Sequence, residues 1–306
     1  MATTRLLTRA EFLHPISSYV GPIFGFEGQR AVVGGTAVFI APGIAITAAH
    51  VIDEILGQFG YTQKSKNISL DIYVNQLQTG ACWFVSQTST WVGTDITVLG
   101  ISPRNDPAKS VPIVRVPMTV DPPPQKGLVT ALGFPRSELA IPQNDPEALK
   151  LSFSLTPTVS EGEVMEVHSS YRDSAYLRFP CFAVNAEFAA GMSGGAVFNE
   201  KRELCGLVCS GGEGALKDLA YATSLWPAAI IPITLPPTVQ AHPKVTAGKP
   251  YKFVELAESG YLDLRGHDRI EFFKHENGSS GIRRHRSENC YALTMRLSRR
   301  QLRGKA

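Results

Sequence analysis

The apolar residues of this chain come in short runs that turn residues keep cutting, and this pattern limits what the chain can fold into. AVVGGTAVFIAPGIAITAAH (31–50) reads as two strands joined by an Ala-Pro-Gly turn, because proline presets φ and glycine permits a positive one. ISLDIYVN, ACWFVSQ, ITVLGIS, LVTALGF, EVMEVHSS, AYLRFPCFAV, GAVFN, LCGLVCS and AYATSL continue the series. VIDEILGQF (51–59) alone has helical spacing. Many short strands with 27 Gly and 21 Pro predict an all-β barrel or sandwich rather than alternating strand–helix units.

Two proline-rich stretches punctuate the series. SPRNDPAKSVPIVRVPMTVDPPPQK (102–126) reads as a linker between two β units, and IIPITLPPTVQAHPKV closes the β region near residue 237. YKFVELAESGYLDL (251–264) and RIEFFKHE then suggest a small appended β element, followed by a charged tail. Charge divides at the same place. Residues 1–239 carry 16 Lys and Arg against 20 Asp and Glu, whereas 240–306 carry 14 against 7. The reading is a domain over 1–237 and a basic C-terminal extension over 238–306. That extension holds few aromatics at its end, which argues against a nucleic-acid stacking platform and leaves a solvated tail or one that docks a regulatory protein.

No run of eighteen apolar residues suggests a membrane span. Arg5, Arg9, Glu11 and His14 interrupt the first residues, unlike a secretory leader. The five cysteines are odd in number and lack a metal-type pair, so a reducing, cytoplasmic setting is expected. The histidines lack partners at metal spacing, and neither metal nor cofactor is expected.

Three segments carry the chemistry. Hydrolysis by a serine requires a base to activate the hydroxyl, a carboxylate to orient the base, and donors for the oxyanion. Thr47-Ala48-Ala49-His50 ends one strand, Thr94-Asp95 opens another, and Gly191-Met192-Ser193-Gly194-Gly195 can turn sharply enough to converge the amides of Gly191 and Ser193. Asp53, three residues after His50, is a rival carboxylate, read as a solvated or capping helix residue.

GTAVFIAPGIAITAAH, TDITVL and GMSGGAVFN resemble, in order and spacing, the signature segments of the chymotrypsin superfamily, in the style of bacterial trypsin-like and HtrA-like peptidases. LGFP (132–135), SEGEV (160–164) and GLVCSGG (206–212) support the match. The resemblance implies two antiparallel six-stranded β-barrels, over about 20–115 and 125–235, with a cleft between them. It implies a catalytic His50, Asp95 and Ser193, and an oxyanion hole from Gly191 and Ser193. Glu187 falls where the family sets the floor of the pocket for the residue before the cut, which implies Arg or Lys there. Cys209-Ser210-Gly211 matches the strand that pairs with substrate, with Tyr221 and Ala222 near the pocket wall. Met192 stands where secreted trypsins carry an Asp, and Val32-Val33-Gly34-Gly35 lies too close to His50 to be a processed terminus. Activation by N-terminal cleavage is therefore not expected.

The expectation is a serine endopeptidase acting on a protein or peptide. The alternative is a catalytically silent or partner-gated module that binds peptides in the same cleft.

Overall fold

The computed structural model describes residues 2–8, 18–60, 68–76, 79–91, 93–104, 115–140, 152–212, 219–237, 242–274, 280–285 and 290–294. Six strands, β1 (Val20–Glu27), β2 (Arg30–Ala41), β3 (Ile44–Thr47), β4 (Ile68–Gln76), β5 (Thr79–Thr90) and β6 (Thr97–Pro103), form a closed barrel in the order β1-β2-β3-β6-β5-β4. All neighbours are antiparallel. The turn between β2 and β3 is the Ala-Pro-Gly turn, with Gly43 at φ 75°. Strand β1 was not among the expected runs, since Gly21, Pro22 and Gly25 disguise it. Gly25 is needed for packing: a Cβ there would come within 2.7 Å of the Phe59 ring. Helix α1 (Ala49–Gln58) buries Val51, Ile52, Ile55 and Leu56 against the barrel, as its 3.6-residue spacing predicts.

The second barrel uses β7 (Leu128–Gly133), β8 (Thr158–His168), β9 (Cys181–Asn185), β10 (Ala196–Asn199), β11 (Leu204–Ser210) and β12 (Leu219–Ser224). Successive antiparallel pairs run β10-β7-β8-β9-β12-β11 and return to β10, which closes this ring as well. Val129, Ala131, Val164, Phe182, Val184 and Val197 fill its interior. The chain is thus all-β, built on two six-stranded antiparallel barrels. A strand at Thr3–Leu6 adds antiparallel to β8.

Part of the proline-rich connection is built into the body rather than spanning it freely. Val116 N–H donates to the Ile40 carbonyl at 3.0 Å. Met118–Thr119 pairs in parallel with β11 and with Leu264–Arg265. The C-terminal segment differs from a β appendage in two respects. Helix α2 (Phe253–Glu258) occupies the first stretch read as strand, because Phe253, Val254, Leu256 and Ala257 fall on one buried side and Glu255 accepts from the Lys252 N–H at 2.8 Å. The stretch read as a charged tail contains strands at Ser280–His285 and Cys290–Thr294, which complete a three-stranded sheet with Ile270–Lys274. Arg284 is buried there and donates to Asp121 Oδ1 at 3.0 Å, while Arg269 donates to Oδ2 of the same carboxylate. Phe253, Leu256, Tyr261, Leu262, Leu264 and Ile282 share one apolar cluster with Val20, Ile44, Phe134, Leu207 and Trp226. Among the described residues no helix is long and apolar enough to cross a membrane.

Candidate active site

His50 is the second residue of α1, directly after the end of β3. Thr47 Oγ1 donates to the Thr36 carbonyl at 2.7 Å, so the small Ala48-Ala49 step is pinned against β2 and turns the imidazole outward. Asp95 is presented by the turn after β5. In it the Thr94 N–H and Oγ1 both bond the Trp91 carbonyl, at 3.1 and 2.9 Å, and Gly93 takes φ 90°. The two residues meet closely. His50 Nδ1 lies 2.9 Å from Asp95 Oδ2 and 3.0 Å from Oδ1, and the His50 backbone N–H donates to Oδ1 at 3.1 Å. A carboxylate only accepts, so Nδ1 carries the proton and Nε2 is left as the acceptor. Asp53 is exposed on α1, and Asp95 holds the ring nitrogen.

Asp95 is 6% exposed, whereas the His50 side chain is 32% exposed. Burial is the largest influence on His50 and pulls its pKa down. The hydrogen bond to Asp95 and the charges of Asp95, Glu54 and Asp53 together outweigh it, so the pKa is raised above its ordinary value.

The Gly191–Gly195 turn packs directly on this corner. Thr36 N–H donates to the Ser193 carbonyl at 2.8 Å, and Thr36 Oγ1 donates to the Gly191 carbonyl at 3.0 Å. Gly191 and Gly194 take φ 91° and 79°, a region closed to most side chains. A Cβ on Gly35 would come within 2.7 Å of the Ser193 carbonyl and 2.9 Å of Val51, one residue past His50. Within the turn, the amides of Met192, Gly194 and Gly195 are bonded to Ala189, Val208 and Met192. Those of Gly191 and Ser193 donate to no acceptor among the described residues. The Ser193 hydroxyl likewise forms no hydrogen bond to His50 among the described residues. Such a contact commonly tightens only with substrate in place. Met192 is fully buried in the second barrel and would bring Cα and Cβ within 3 Å of any Cβ on Gly133. The position where secreted trypsins hold an acidic group is apolar core here.

The remaining expected residues lie around this turn. Glu187 is exposed, and its carbonyl accepts from Thr4 Oγ1 of the N-terminal strand at 3.4 Å. At the end of β11, Cys209 is buried, Ser210 half-buried and Gly211 exposed, so the strand emerges from the core just where backbone pairing would begin. A bulge falls between Val208 and Ser210. Beside it Cys209 is buried against Leu177, Phe179 and Cys181, and its Sγ, a ring nitrogen of His50 and a carboxylate oxygen of Asp95 lie within 4.8 Å of one another. Burial, followed by the Asp95 carboxylate, pushes the Cys209 thiol well above its ordinary pKa. This contact was not foreseen in the sequence, because positions 50, 95 and 209 are joined only by the fold. Tyr221 pairs with Ser210 and carries the Arg172 guanidinium 4.8 Å over its ring, while Ala222 is buried inside the barrel.

Residues 35–207 match the trypsin-like peptidase domain, more than half of the chain. The chain therefore belongs to the trypsin-like peptidase family, a family of serine proteases with the chymotrypsin fold. Comparison with curated proteins gives no match. Among solved structures, the chain is similar to the Rv3671c protease from M. tuberculosis in its active form, at 16% identity over 72% of this chain and 83% of that one, with a TM-score of 0.45. Deg5 is 14% identical over 72% and 91%, with a TM-score of 0.45. The MamO protease domain from Magnetospirillum magneticum is 15% identical over 69% and 94%, with a TM-score of 0.46. At these identities none of the three assigns a role to any residue.

Proposed function

We propose that the protein is a serine endopeptidase in which Ser193 is the nucleophile, His50 the general base and Asp95 the carboxylate that orients it. The observation that carries this reading is the hydrogen-bonded His50–Asp95 pair set against a turn whose Gly191 and Ser193 amides donate to no acceptor among the described residues. Ser193 Oγ attacks the scissile carbonyl as His50 Nε2 takes its proton. The free amides then meet the oxyanion, and His50 returns the proton to the leaving amine. Asp95 keeps the proton on Nδ1 and stabilises the imidazolium.

Substrate binds as an extended peptide along Ser210-Gly211, whose emergence from the core supports strand addition. Glu187, solvent-accessible and six residues before Ser193, selects Arg or Lys before the cut. No cofactor takes part in this reading. Cys82, Cys181, Cys205 and Cys209 are free thiols, which suits a reducing, cytoplasmic setting. Docking of a regulatory protein falls to the C-terminal segment, residues 238–306, whose sequence is basic.

Fluorophosphonate labelling tests the chemistry. Labelling of the wild type that disappears in Ser193→Ala and His50→Ala supports it, and peptide-library cleavage after basic residues that is lost in Glu187→Gln supports the pocket. A second reading draws on the missing Ser193–His50 hydrogen bond: a peptide-binding module whose chemistry is silent or gated by a partner. Folded protein that captures peptides but takes no label favours it.

A further inference from the structure

Three donor atoms from distant parts of the chain meet behind the His50 ring: an imidazole nitrogen, the Asp95 carboxylate and the Cys209 thiol, all within 4.8 Å of one another. The first barrel supplies two of them and the second barrel supplies the third. A bulge in β11 lies at this cysteine, between Val208 and Ser210. Asp95 and Cys209 are 6% and 7% exposed, so the cluster is largely shielded from water, and the 32%-exposed His50 side chain is its opening.

We propose that a thiophilic divalent cation such as Zn2+ or Cd2+ binds His50 Nδ1, Asp95 and Cys209 and switches the peptidase off; the inhibitory part rests on the peptidase reading above. Imidazole, carboxylate and thiolate together are a donor set of the borderline-soft, tetrahedral type, with water completing the fourth position. Bonds of roughly 2.0 to 2.3 Å place tetrahedral donors within about 4 Å of each other, so the Cys209 sulfur closes in by at most on the order of 1 Å while the hydrogen-bonded His50 Nδ1–Asp95 pair, 2.9 Å apart, opens slightly to admit the ion.

Charge and protons balance. The thiol releases its proton to solvent, and a dication then faces one carboxylate and one thiolate, which leaves the buried cluster neutral. The imidazole stays neutral, but its proton moves from Nδ1 to Nε2. That move is what inhibits: an Nε2 that already bears a proton cannot accept the one from Ser193, and Asp95 no longer orients the ring.

The test uses the reduced, full-length chain titrated with Cd2+, read by the ultraviolet thiolate-to-metal charge-transfer band, and with Zn2+ by calorimetry. Expected are one ion bound per chain, release of one proton, suppression of Ser193 fluorophosphonate labelling by about tenfold or more, and recovery with EDTA. Cys209→Ser removes the band and weakens Zn2+ binding by at least about tenfold, while Cys82→Ser keeps both. Absence of the band in the wild type, its persistence in Cys209→Ser, or its loss in Cys82→Ser overturns the site. Should Cys209→Ser fail to fold, Asp95→Asn decides, and unchanged affinity there overturns the site equally. Labelling that is absent even without metal sinks the peptidase reading and leaves the band to judge the metal site alone.

Discussion

His50 sits among three carboxylates, and the sign of their effect is testable. In the proposed reading His50 is a general base acting in its neutral form, and its raised pKa places the acidic limb of kcat/KM above the ordinary histidine range, with the rate rising with pH through it. Removing the charges in the Asp53→Asn, Glu54→Gln double variant moves that limb to lower pH; a pH–rate profile that does not move refutes the assignment. The same shift bears on stability. A histidine with a raised folded pKa contributes stability that is full below its unfolded pKa and is lost as pH rises through the folded one. Asp95→Asn leaves the ring with the wrong tautomer, and kcat falls by roughly 10^4-fold, the size reported for this change in a Ser-His-Asp triad. Gly194→Ala places a methyl at φ 79° against the Thr36 carbonyl and Thr47 hydroxyl. Positive-φ strain alone is on the order of 1–3 kcal/mol, so both the denaturation midpoint and the labelling rate should drop.

At the scale of elements, helix α2 and the strand Ser280–His285 do structural work that composition alone disguised. Leu256 is fully buried between α2 and the apolar cluster shared with both barrels. Leu256→Ala should cost about 3 kcal/mol in urea denaturation, with cleavage chemistry unchanged in the folded fraction. Asp121 receives Arg269 and the buried Arg284, and Asp121→Ala should cost about 2 kcal/mol because it strips a charged partner from a guanidinium that water reaches poorly. Strand β1 and helix α2 escaped the pattern reading for opposite reasons. In β1 the glycines that permit close approach to Phe59 and Tyr73 break up the apolar run. In α2 six residues are too few for a 3.6 period to stand out from strand alternation.

For the whole molecule, the described part of the C-terminal segment completes the core. Phe253, Leu256, Tyr261, Leu262, Leu264 and Ile282 bury their side chains in the largest cluster. At about 2 kcal/mol each their loss matches the entire stability of an ordinary domain. A chain ending at residue 241 should therefore lose cooperative thermal unfolding rather than merely its regulation. Cooperative melting of the shortened chain at the full-length temperature would show the segment to be dispensable.

The split between sequence and structure follows from locality. Strand periodicity, turn glycines and the three short segments around His50, Asp95 and Ser193 are local, so the all-β class, the helix after His50 and the order of the candidate residues were legible in the chain itself. Contacts between residues far apart were not. The closing β10–β11 and β1–β4 pairings, the burial of Arg284 beside Asp121, the Gly191 and Ser193 amides that donate to no acceptor among the described residues, and the proximity of Cys209 to Asp95 depend on how two barrels and a C-terminal segment pack. His50, Asp95 and Cys209 meet only once both barrels are assembled, because no local pattern links positions so far apart in the chain.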